Sequence, residues 1–138
     1  MAKSIRDTMT RNPCSIDTGK SVAYAAKMMR DENVGVAPIV EGDRLVGVLT
    51  DRDIAIRVVA EGRDPEQVKV EEVASREVVT VDPQQDLGEA LRLMARHQVR
   101  RLPVVEEDGR LVGVVAQADV AKEADERQTG ETVEQISQ

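Results

Sequence analysis

The chain repeats itself, and this constrains its fold more than any other feature. Ser21 is followed by Val22, Ala25, Ala26 and Met29. At a distance of 65 residues, Asp86 is followed by Leu87, Ala90, Leu91 and Met94. The apolar run Val34 to Val40 carries Pro38, and its counterpart Val99 to Val105 carries Pro103 at the same place. One extra residue enters the turn between Glu106 and Gly109. From there Leu111 to Val115 follows Leu45 to Leu49 at an offset of 66, and Asp119 falls on Asp53. Self-similarity of this kind marks a duplicated supersecondary unit.

Each copy can be read in outline. The stripes at i, i+3, i+4 and i+7 predict amphipathic helices that start at Ser21 and Asp86, with all four apolar positions facing a core. Pro38 and Pro103 cannot donate to a ladder, so their strands are expected at an edge, or bonded on one side only at the proline. Glu41-Gly42-Asp43 turns the chain, and Arg44 to Thr50 returns as a hairpin arm. A helix from Asp51 is expected to carry Ile54, Ala55, Val58 and Val59 inward, and Gly62 and Pro65 close it. Ser15-Ile16-Asp17 predicts a brief strand matched by Thr80-Val81-Asp82. The opening turn from Ser4 to Met9 is matched by Val70 to Val73.

The pattern is βαββα twice, an α/β (α+β) chain. Its expected parts are repeat 1 at 4–62, a polar connector at 63–69, repeat 2 at 70–124 and a polar, mobile tail at 125–138. A unit this small buries too little surface alone. The two are therefore expected to pack sheet to sheet about a pseudo-twofold axis, leaving a cleft suited to a ligand.

The stretch Gly47-Val-Leu-Thr50-Asp-Arg-Asp53 passes from strand straight into helix. Thr50 and Asp53 then share the first helical turn, beside backbone N–H groups with no partner inside the helix. Two readings stand. The pair can be a capping box. It can also be a ligand corner, where the N–H groups favour an electron-rich group and Asp53 accepts from sugar hydroxyls.

Composition excludes several functions. The net charge of −7 argues against general phosphate-backbone binding. One Tyr, with no Phe or Trp, removes the stacking platforms of single-strand binders. No nucleic-acid partner is expected. No apolar run approaches a membrane span, and the N-terminus lacks a signal-peptide core, so the expected place is the cytoplasm without membrane contact. The lone Cys14 permits no internal disulfide and reads as a small apolar filler beside Ile16. His97 reads as the basic end of its helix rather than a metal ligand, having no second His or nearby Cys. No Walker loop, Cys–His neighbourhood or metal cluster is present in the sequence, so no enzyme and no metal site are expected.

The duplicated βαββα unit, the proline-bearing strand and the Gly-h-x-Thr-x-x-Asp corner together resemble the cystathionine beta-synthase (CBS) domain. Two in tandem form a Bateman module, and the match, from residue 4 to about 122, is to the stand-alone bacterial type. The resemblance implies a regulatory module that binds an adenosine-containing ligand: AMP, ADP or ATP first, S-adenosylmethionine or a dinucleotide as others. No further cofactor is required. It assigns the ribose hydroxyls to Asp53 and the ribose–phosphate neighbourhood to Thr50. Adenine would lie among Val36, Ala37 and Pro38, with Ser15 and Ile16 nearby. Phosphates would be met by Arg100 and Arg101 of the opposite repeat, with Arg101 favoured because it shares parity with Pro103.

The copies are unequal. Ala116 stands where Thr50 does, and Gly35-Val36 stand where Arg100-Arg101 do. One competent site at Asp53 and one weak or empty site at Asp119 are expected. The resemblance also implies a homodimer, with a helix face around Ala55, Val58, Val59, Val120 and Ala124, and an unidentified protein partner. The alternative is a structural or protein-interaction dimer whose clefts are vestigial.

Overall fold

The computed structural model describes residues 3–123. In chain order, the helices are α1 (Ile5–Thr8), α2 (Val22–Glu32), α3 (Asp51–Ile54), α4 (Val70–Val73) and α5 (Leu87–His97), with α6 over 117–123. The strands are β1 (Thr10–Arg11), β2 (Ile16–Asp17), β3 (Val36–Glu41), β4 (Arg44–Thr50), β5 (Arg101–Val105) and β6 (Leu111–Ala116). A π-helical turn, Ala55–Val59, continues α3. The chain is thus of mixed α+β class, with two three-stranded sheets ordered β2-β3-β4 and β1-β6-β5. The tail at 125–138, and Ala124 of the expected dimer face, lie outside the described residues.

Two compact units form, and neither is a continuous stretch. One gathers 3–13, 79–107 and 112–123; the other gathers 14–78 with 108–111. The opening segment of each copy is therefore exchanged. Thr10 pairs with Val114, and at the equivalent place Ser75 pairs with Val48. Ser4 bridges Asp86, as Lys69 bridges Ser21. The segments start alike: the Ser4 N–H donates to Asp7 at 3.1 Å, and the Lys69 N–H to Glu72 at 2.7 Å.

The motif glycines make the exchange possible. A Cβ on Gly47 would lie 2.7 Å from the Ser75 carbonyl oxygen, and one on Gly113 would lie 2.9 Å from that of Thr10. Only a residue without a side chain admits another backbone at that distance. The glycine that opens the Gly-x-x-Thr-x-x-Asp motif thus serves strand docking.

Each unit has its own core. In the unit of 14–78, Ile16, Val22, Ala25, Met29, Ala37, Ile39, Leu49 and Val58 pack with Val70 and Val73 of the exchanged segment. In the other, Ile5 and Met9 pack with Val81, Leu87, Ala90, Met94, Leu102, Val104, Val115 and Val120. Each fully buried Val, Leu or Ile contributes about 1.5–3 kcal/mol relative to exposure. The side chains of Ser21 and Asp86 cap α2 and α5, accepting from the N–H groups of Tyr24 and Glu89 at 3.1 and 2.9 Å.

Several expectations are corrected. The i+4 position of each helical stripe is open: Ala26 is exposed and Leu91 is 36% exposed. The buried faces are the narrower triads Val22, Ala25, Met29 and Leu87, Ala90, Met94. Past α3, only Val58 is buried, while Ala55 and Val59 face outward, because the wider π turn rotates the inward face onto one residue. Val58 and Val120 are buried in the cores and so drop out of any dimer face.

Of the two arrangements expected for the proline strand, β3 takes the second: it lies between β2, to which it is parallel, and β4, to which it is antiparallel, and is bonded on one side only at Pro38. Its proline is tolerated because β2 pairs only with Ile39 and Val40, leaving no ladder partner for the missing N–H of Pro38. Cys14 is exposed rather than filling the core, because Ile16 alone of that stretch points inward. Slight desolvation by its neighbours and then the Glu32 carboxylate push its thiol pKa up, away from a reactive thiolate.

Candidate functional site

β4 ends at Thr50, which adopts extended φ/ψ (−108°, 160°) and caps α3. The Asp53 N–H donates to Thr50 Oγ1 at 3.0 Å, and the Thr50 N–H donates to Asp53 Oδ2 at 3.0 Å. This is the reciprocal capping box. It uses one oxygen of Asp53. The other, Oδ1, lies outside the cap and 3.8 Å from Arg57 Nη1, one turn along the helix. The Asp53 side chain is 13% exposed, so its carboxylate is sheltered yet reachable. The Asp51 N–H donates to the Gly35 carbonyl at 2.9 Å, which ties the helix start to the residue before β3.

The register of the hairpin decides which side chains share the corner's face. Val36 pairs with Thr50 and Pro38 with Val48. Paired residues point to one face, so Val36, Pro38, Val48 and Thr50 share the face opposite this core, where Pro38 is itself buried and Val36, Val48 and Thr50 are half-buried. Ala37 and Ile16 point the other way: both are core residues, so only their backbones face outward at this corner. Ser15 is exposed beside Ile16.

Arg100, Arg101 and Asp119 belong to the other unit. Both arginines are exposed, and the Arg100 carbonyl accepts from the Gln117 N–H at 2.7 Å, the equivalent of the Gly35–Asp51 bond. Leu102 and Val104 face the core, which leaves Arg101 on the opposite face of β5 with Pro103. Asp119 is exposed, and Ala116 has no hydroxyl to cap α6. The two corners therefore differ in burial as well as in sequence.

Two features escaped the sequence reading. The first is Arg57. Its spacing of four from Asp53 was visible as a helical ion pair. Its second bond, from Nη1 to the Val73 carbonyl at 2.8 Å, depends on segment exchange and was not. The second is a surface groove of about 490 Å³ lined by Met29, Arg30, Asn33, Gly35, Asp51 and Ile54. It contains Asp51 rather than Asp53, at the C-terminal end of α2. Among the described residues, no group of three or more His, Cys, Asp or Glu side chains could hold a metal ion, and no helix is long and apolar enough to cross a membrane.

The sequence profile of the CBS domain matches residues 2–60 and 70–126. The CBS domain-containing protein YhcV of Bacillus subtilis is 47% identical over 118 residues, which span 86% of this chain and 83% of YhcV. The crystal structure of hypoxic response protein I with two coordinated zinc ions is 40% identical, with a TM-score of 0.79, over 87% of this chain and 98% of that one. The CBS domain pair of protein MJ0100, in complex with 5′-methylthioadenosine and S-adenosyl-L-methionine, is 25% identical with a TM-score of 0.78, over 92% and 99% of the respective chains.

Proposed function

The chain belongs to the CBS domain family, with two copies in tandem, and from that premise we propose that it senses an adenosine-containing ligand, an adenine nucleotide such as AMP, ADP or ATP, at the Asp53 corner. The chain is regulatory and not an enzyme. The observation that carries the reading is the state of Asp53. Its carboxylate is sheltered, one oxygen lies outside the cap, and its capping partner Thr50 pairs with Val36 on a sheet face whose half-buried apolar members are Val36 and Val48. A ribose offers two adjacent hydroxyl donors to such a carboxylate, and an adenine ring needs apolar surface beside it. The relative MJ0100 binds two adenosine derivatives. Thr50 lies beside the ribose in this reading, and Asp119 forms the weaker counterpart.

The protein acts in the cytoplasm as a homodimer that signals to a protein partner. Val59, 69% exposed, and Ile56, 46% exposed, offer apolar contact surface on the helix after the corner. Mass spectrometry of the gently purified protein tests the reading: an adenine-containing molecule is expected to co-purify or to exchange with added AMP. Absence of any such molecule, with no thermal shift from AMP, ADP, ATP, NAD or S-adenosylmethionine at millimolar concentration, would contradict it. A dimer that resists dilution under those same conditions would then favour the structural alternative.

A further inference from the structure

We infer that Arg57 is a positioning residue that makes ligand binding at Asp53 felt by the exchanged segment 69–75; this rests on the adenosine-binding reading above. The geometry forms a closed ring. Asp53 Oδ1 lies 3.8 Å from Arg57 Nη1. The same nitrogen donates to the Val73 carbonyl at 2.8 Å. Two residues on, the Ser75 N–H donates to the Val48 carbonyl at 2.8 Å, and the Val48 N–H returns to Ser75 at 2.9 Å. Val48 lies on β4, two residues before Thr50, which closes the ring through the capping box with Asp53.

Each contact has a physical reason. Val73 ends the four-residue helix α4, so its carbonyl has no acceptor role inside that helix, and a guanidinium supplies the missing donor. Arg57 sits in the π turn directly after the corner, a widened segment of the kind that recurs at functional sites. Arg57 steadies the Asp53 oxygen to which a ligand would donate its hydroxyl hydrogens, and the bound ligand then shares that oxygen with the guanidinium. The guanidinium's hold on Val73 then changes with occupancy.

The second copy sharpens the assignment. Glu123 stands where Arg57 does, at the offset of 66. It also holds the exchanged segment of its unit, through Lys3 at 2.7 Å. Its charge is opposite, so Asp119 has an acid one turn along where Asp53 has a base. Both helices grip their exchanged segment from this position, but only the first grips it through a group attracted to the corner aspartate.

Amide hydrogen exchange at Ala74 and Ser75, combined with calorimetric titration of AMP, tests this in wild type, Arg57→Lys and Arg57→Ala. In the wild type, AMP is expected to change the exchange rate of Ala74 and Ser75. In Arg57→Ala, affinity is expected to fall on the order of tenfold, the scale of one charge-assisted contact, and AMP is expected no longer to alter exchange at those amides. Arg57→Lys should recover part of the affinity but not the exchange response, since a single ammonium cannot reproduce the guanidinium fork. Unchanged affinity with a persisting exchange response in Arg57→Ala would overturn the assignment. Should wild type fail to bind AMP, the sensing reading fails. The tie between Arg57 and Val73 is then judged on ligand-free protein alone: faster exchange at Ala74 and Ser75 in Arg57→Ala supports it, and unchanged exchange overturns it.

Discussion

Thr50 and Asp53 bond each other twice, backbone to side chain in both directions, at 3.0 Å each. One oxygen of Asp53 is consumed in that exchange and the other is not. The capping box and the ligand corner are therefore compatible roles of one residue pair. The cap fixes the carboxylate in place, which would lower the ordering cost of the ligand binding proposed above.

The cap should have its own stability cost in the absence of ligand. Thr50→Ala is expected to destabilise by about 1 kcal/mol, the usual loss for an N-cap hydroxyl. The reverse change in the second copy, Ala116→Thr, places a hydroxyl three residues before an existing aspartate and should stabilise by about 0.5–1 kcal/mol. Urea unfolding midpoints of the three proteins check both signs. A neutral Thr50→Ala would mean that the reciprocal pair contributes nothing to the fold.

Gly47→Ala should cost about 1–3 kcal/mol, because the added methyl meets the Ser75 carbonyl at 2.7 Å and backbone has to move. The measurable consequence is local as well as global. Exchange of the Ser75 and Val48 amides should speed up more than that of Ile39 in the same core. By contrast, Gly113→Ala meets the flexible Met9 sulfur first at 2.6 Å and the Thr10 carbonyl at 2.9 Å, so a similar or smaller loss is expected. A Gly47→Ala protein as stable as wild type would refute the close docking of the exchanged strand.

Acid should loosen the same segment. The Lys69 N–H and then the Arg63 guanidinium hold the Glu72 carboxyl below its ordinary value of 4.5. A carboxyl depressed in the folded state takes up its proton first in the unfolded state. Its stabilisation is thus present above the unfolded pKa and is lost as pH falls through the folded one. Glu72→Gln should flatten the fall of melting temperature below about pH 5 while leaving the neutral-to-basic slope alone. Identical acid limbs for the two proteins would show that Glu72 has no share in it.

What the sequence revealed follows from the reach of each signal. The core triads on α2 and α5 and their Ser21 and Asp86 caps are local and periodic, and the offset of 65 displays each twice. The docking of Ser75 on Val48 is different. A two-residue strand carries no alternation, and its partner is fixed by packing far along the chain. Ala26 and Leu91 read as core because a four-position stripe and a three-position stripe differ only in the neighbours they meet. Val58 against Val59 turned on a π turn that no residue type announces. The Thr50–Asp53 spacing was plain, but it suits a cap and a ligand corner alike, so spacing alone left both roles open.

Parallel calorimetric titration of ligand-stripped wild type, Asp53→Ala and Asp119→Ala with AMP, ATP and S-adenosylmethionine tests the central claim most directly. The account predicts that wild type binds at least one of these at sub-millimolar concentration. Asp53→Ala should weaken that binding by at least about tenfold, the value of a lost hydrogen bond to a charged group, and Asp119→Ala should leave it nearly unchanged. Equal losses in the two variants, or no binding to the wild type, would contradict it.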